Sequence, residues 1–167
     1  MVAIRAKMKK NRIANLSLFL TAIVSRIPLA YQHGGNPDAE NTLLAGQKAL
    51  KSFWYVPGRP PGAVVYDIFI ALCEKIFNVG SWPSHYVTNG VSLVCAGLTL
   101  IVLFKIFKEY LPERLAYIAV LLLNFWPQFL TTGASTSDLT LFWLLGSLSF
   151  LFFIEKKETK AVCISIL

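Results

Sequence analysis

Residues 36–67 read NPDAENTLLAGQKALKSFWYVPGRPPGAVVYD. This is the longest stretch of the chain that cannot lie in lipid as it stands. It carries Asp38 and Glu40 close together, then a Gly-Arg-Pro-Pro-Gly turn around Arg59, then a third acid, Asp67. The sequence on both sides is apolar enough to be membrane. A polar, acid-bearing segment held against a bilayer by hydrophobic helices is where chemistry is to be sought.

Composition supports that setting. Of 167 residues, 55% are hydrophobic and 15% charged, against about 45–50% and about 25% in a soluble domain. Both departures indicate an integral membrane protein. There are 16 Lys and Arg against 9 Asp and Glu, an excess that on a soluble protein would suggest nucleic acid. Here the basic residues sit at the ends of apolar runs, as topology signals and contacts to anionic lipid do, so no nucleic-acid partner is expected. Cys73, Cys95 and Cys163 all lie in apolar segments without a CxxC pair or a His–Cys cluster, which argues against a disulfide framework and a zinc site.

Outward from the polar stretch, residues 1–12 hold Arg5, Lys7, Lys9, Lys10 and Arg12 and no acid, which makes this end cytoplasmic by the positive-inside rule. A first span is expected over 13–31, with Arg26 reaching the outer interface or an acid there. The competing reading is a secretory signal peptide, against which Pro28, at −3 before Ala30, is a poor cleavage context. An outer loop over 32–82 follows. It contains two surface helices, 39–53 and 62–79, separated by the Pro/Gly turn. On the second, Asp67, Ala71, Glu74 and Asn78 share one face and Ile68, Phe69, Leu72 and Ile76 the other.

Further spans are expected at 86–104, 115–132 and 139–154, with the start of a fifth at 161–167, where the chain ends inside a new apolar run. If 62–79 lies on the surface, the loops holding Lys105, Lys108 and Arg114, and Lys156, Lys157 and Lys160, both fall inside, as the positive-inside rule prefers. Asn124 and Pro127 soften the outer half of the third span. The turn TTGASTS, residues 131–137, then leads directly to Asp138, on the same side as Asp38.

Each acid also has a plain reading. Asp38 and Asp138 suit helix N-caps, Glu40 suits a first helical turn, and Asp67 and Glu74 could mark the wet side of a surface helix. What favours function is that acids from three separate points in the sequence reach one face of the membrane, where they are costly unless used. One carboxylate there can take a proton from an attacking hydroxyl. Others can hold a divalent cation against a phosphate leaving group. Arg26 or Arg59 can add a planar contact to phosphate.

These pieces, in this order, resemble the N-terminal part of a GT-C-type membrane glycosyltransferase of family 39, the protein O-mannosyltransferase and aminoarabinose transferase group. The resemblance runs from about Ile13 to Ile154 and rests on PDAEN, the Arg-Pro-Pro-Gly turn, and the serine-rich turn with Asp138. It implies transfer of a sugar from a polyprenyl-phosphate-linked donor to a hydroxyl acceptor on protein, lipid or glycan at the outer or lumenal face, with inversion. Asp38 would act as base. Glu40 and Asp138 would position the acceptor or hold a divalent metal. Arg59, Arg26 and Asp67 would lie on the donor side. Many relatives have Asp and Glu adjacent, whereas Ala39 intervenes here. The family's later spans are absent from this chain, which implies a fragment or one half of a split protein, inactive alone. The expected architecture is therefore an all-α polytopic membrane protein with about four spans plus the start of a fifth. The rival reading is a small membrane transporter or a noncatalytic membrane assembly subunit.

Overall fold

The computed structural model describes residues 2–32, 37–52, 64–77 and 83–155. Arg59 with its Pro-rich turn and the start of a fifth span at 161–167 lie outside the described residues. Among those described, the chain is all-helical, with no strand.

Helix α1 (Val2–Gln32) is one continuous helix of 31 residues, so the basic N-terminal segment is its first turns and not a separate tail. Ala, Met, Lys and Arg dominate those turns, and all are strong helix formers. Helix α2 covers Pro37–Ser52 and α3 covers Val64–Phe77. Helix α4 (Ser84–Tyr110) ends where Pro112 prevents continuation, and α5 begins directly after it at Glu113. Residues Arg12–Ala30 and His85–Tyr110 are long and apolar enough to cross a bilayer.

The third apolar segment is not one helix. Helix α5 (Glu113–Asn124) stops, and α6 (Pro127–Thr132) restarts after a gap of two residues. Pro127 has no N–H to donate, and its ring crowds the carbonyl four residues back, which weakens the helix at the point where it breaks. Helix α7 (Leu139–Ile154) completes the described chain.

Helix α4 is central, touching α1, α2, α3, α5 and α7. Leu18 and Ala22 of α1 pack with Ala96, Leu100 and Phe104 of α4 and with Ala116 and Val120 of α5. Inside a bilayer lipid is as apolar as the core, so helices associate through close approach rather than through water release. The α1–α4 seam shows this. A Cβ added at Gly97 would come 2.7 Å from the ring of Phe19. Val102 and Ile106 carry the packing on to Leu151 of α7.

Helices α2 and α3 form a hairpin against one end of α4. The buried face of α2 is built from small residues, Ala39, Thr42, Ala45 and Ala49, with Gly46 among them. The larger Leu43 and Leu50, seven positions apart, are only half-buried. A Cβ on Gly46 would overlap the main-chain oxygen of Asp67, so the two backbones nearly touch there. The polar face of α3 is turned onto this contact. Asp67 is fully buried, and Glu74 accepts a hydrogen bond from Gln47 Nε2 at 2.7 Å. The other face, with Phe69, Leu72, Ile76 and Phe77, is exposed. Asp67 therefore does not mark a wet side of α3, and the apolar side is the one left uncovered.

Candidate functional site

One end of the bundle gathers the C-terminal end of α1, the N-terminal turns of α3 and α4, and the turn between α6 and α7. A network of hydroxyls and amides sews this rim together. Asn89 Nδ2 donates to the carbonyl of Ala30 at 3.1 Å. Thr136 Oγ1 donates to Asn89 Oδ1 at 3.0 Å and lies 2.6 Å from Thr88 Oγ1. Ser92 Oγ lies 3.1 Å from Tyr66 Oη and bonds the main chain of Ser137. Thr88, Asn89, Ser92 and Thr136 are all buried. Away from water such groups stay only when paired, and losing one partner costs about 1–3 kcal/mol. The result is a rigid mount: the serine-rich turn is pinned to α4, and Tyr66 ties α3 to the same hub.

The mount positions two of the expected acids. Asp67 follows Tyr66 directly, and Asp138 follows Ser137. Asp138 occupies the N-cap position of α7 but makes no capping hydrogen bond. Its neighbour does that work, since Ser137 Oγ accepts the N–H of Leu139 at 3.3 Å. Cap formation therefore does not account for an acid at 138. Glu40 is exposed on the first turns of α2. Asp38 falls inside the first turn of α2, because that helix starts at Pro37. Among the described residues, no three His, Cys, Asp or Glu side chains come together as a metal cage.

Arg26 is fully buried. Its Nη1 donates to Asn124 Oδ1, to the carbonyl of Ala22 at 3.1 Å and to Ser25 Oγ at 3.3 Å. Its Nη2 donates to the carbonyls of Phe129 at 3.3 Å and Asn124 at 3.5 Å. The guanidinium stands 5.0 Å above the ring of Phe129, and Trp143 stacks with that ring at 4.9 Å.

Between α3 and α4 runs an apolar cavity of about 850 Å³, lined by Phe69, Phe77, Tyr86, Val91, Val94 and Leu98. It starts beside the rim at Tyr86 and follows α4 for twelve residues, about 18 Å at 1.5 Å per residue.

Sequence reasoning missed Tyr66, Thr88, Asn89, Ser92 and Thr136. The available signal was the spacing of Thr88, Ser92 and Thr99 at helical intervals on an otherwise apolar helix. Polar side chains in such a helix turn inward to partners.

A bundle of apolar helices, two of them long enough to cross a bilayer, with a polar rim that carries acids from separate helices, is the architecture of a membrane protein. The chain belongs to the dolichyl-phosphate-mannose-protein mannosyltransferase family, whose model matches residues 59–167. It is thus of the GT-C type, a membrane glycosyltransferase family. Comparison with curated proteins and with solved structures gave no match.

Proposed function

We propose that the rim is the outer-face site at which a sugar passes from a polyprenyl-phosphate-linked donor to a hydroxyl acceptor, with inversion at the anomeric carbon. Four spans, at α1, α4, α5–α6 and α7, would carry it in the cell membrane with the N-terminus in the cytoplasm. Asp38 takes the proton from the acceptor hydroxyl as that oxygen attacks. Glu40 and Asp138 orient the acceptor. Arg59 contacts the donor phosphate, and Asp67 sits on the donor side of the hairpin. The apolar cavity along α4 suits an isoprenoid chain whose phosphate stays at the rim. The observation that carries this reading is the Asp138 carboxylate, held on a rigid mount and not used as a cap.

The test is sugar transfer from a polyprenyl-phosphate donor by the full protein in membranes. Removing a positioned acid–base group typically costs about 10²–10⁴-fold. Asp38→Asn and Asp138→Asn are each expected to lower kcat by at least about 100-fold. Undiminished transfer by Asp38→Asn would remove it as the base. A divalent cation is the second part of the proposal. Glu40 and Asp138 would supply two of its roughly six oxygen ligands, the rest coming from phosphate and water. Chelation is then expected to abolish transfer and added Mg²⁺ or Mn²⁺ to restore it. Full activity in chelator would discard the metal and leave the acid roles standing.

A further inference from the structure

The gap between α5 and α6 is a liability in a bilayer. A broken helix leaves carbonyls without N–H partners, and they are tolerated only where neighbouring groups satisfy them. Arg26 lies across this gap. It holds Asn124, the last residue of α5, by side chain and main chain, and it holds Phe129, in the first turns of α6, by carbonyl and ring. Gly133 lets it fit: a Cβ there would come 2.5 Å from Arg26 Nε and 2.9 Å from the Cβ of Ala96. The four Nη hydrogens face protein oxygens on α1, α5 and α6, so the charge is spread over carbonyl and amide dipoles.

The gap also decides where α6 points, and α6 leads within six residues to Asp138. On the other side, α1 ends at Gln32, five residues before the start of α2 with Asp38 and Glu40. Arg26 therefore ties the helix that delivers one set of acids to the helix that delivers the other. We propose that Arg26 is a positioning residue, a brace that fixes the offset between α1 and α6 and so the spacing of the two acid-bearing segments. It takes the place of the phosphate contact that its position in the sequence suggests. The consequence for sugar transfer rests on the function proposed above; the brace itself does not.

The experiment reads geometry without sugar. In the full chain, with Cys73, Cys95 and Cys163 replaced by Ser, nitroxide labels at Leu44→Cys on α2 and Thr131→Cys on α6 report the offset by pulsed electron resonance. Both positions are exposed. A single narrow distance is expected with Arg26 in place. Losing hydrogen bonds to a charged group should deplete the braced arrangement roughly tenfold, so Arg26→Gln shifts or broadens the distance. Asn124→Ala does the same, and the double variant adds nothing to either single one. Arg26→Lys does not restore the distance, because an ammonium cannot span both sides of the gap. In the transfer assay kcat falls about tenfold while donor KM is unchanged. An unchanged distance in Arg26→Gln, together with a raised donor KM and partial rescue by lysine, would overturn the brace in favour of a phosphate contact. Should Arg26→Gln fail to fold, Asn124→Ala keeps the cation and removes one acceptor; an unchanged distance there also overturns the brace. A shifted distance in a protein that transfers no sugar from any polyprenyl-phosphate donor keeps the brace and defeats the function.

Discussion

Gly133 and Gly90 look alike in the sequence and differ wholly in what surrounds them. A methyl at 133 meets Arg26 Nε and Ala96, whereas one at 90 meets nothing within 4 Å. Overpacking costs about 1–3 kcal/mol, while Gly to Ala within a helix gains up to about 1 kcal/mol. Gly133→Ala is thus expected to lower the melting temperature in detergent and Gly90→Ala to leave it unchanged or raise it. Equal effects would mean that the fit around Arg26 is looser than described. Cys73 gives a pH-dependent readout. Partial burial pushes its thiol above the ordinary value, so less reactive thiolate is present at neutral pH. With Cys95 and Cys163 replaced by Ser, maleimide labelling of Cys73 should keep accelerating at pH values where an exposed cysteine has levelled off. A plateau at the ordinary thiol pKa would show that the site is open to water. Arg26 itself was legible as an odd charge in an apolar run. Its partners were not, because Asn124 and Phe129 lie about a hundred positions away and nothing local to Arg26 names them.

At the scale of elements, composition and hydropathy were enough to read an all-helical chain, and Pro127 was enough to mark where a helix would weaken. The degree was not legible. A proline in a bilayer helix bends it or breaks it according to what its surroundings offer the carbonyls at the break, and here the Asn124 carbonyl faces Arg26 Nη2 at 3.5 Å. The face of α2 was harder still. Large apolar residues mark a buried stripe where water provides the driving force. The α2–α3 crossing uses Ala39, Ala45, Gly46 and Ala49 instead, to bring the backbones together. Gly46→Ala should therefore part the hairpin, at a cost of about 1–3 kcal/mol, and speed proteolysis of α2 while the α1–α4–α7 packing persists. Uniform protection would show that α3 can slide to accommodate the methyl group. The rim network was the other loss. Single Ser and Thr residues along a helix are common, and only the fold shows that Thr88, Ser92 and Thr136 converge.

For the whole molecule, the arrangement predicts a strict two-sidedness. Thr131 belongs to the rim end and Tyr110 to the opposite end of α4. In intact cells a membrane-impermeant maleimide should label Thr131→Cys at once and Tyr110→Cys only after permeabilisation. The reverse pattern would invert the topology and move the acids away from the outer face. The helices also differ in reach. Helix α4 has 27 residues, about 40 Å, but α7 has 16, about 24 Å, closed by Asp138 at one end and Glu155 at the other. A bilayer core is about 30 Å thick. One flank of the bundle is thus longer than that core and the other falls short of it. Lipids beside a spanning α7 would have to thin to meet it, at a cost that grows with each ångström of mismatch. Under the proposed four-span layout, lipid thickness therefore pulls on the very helix that Asp138 opens.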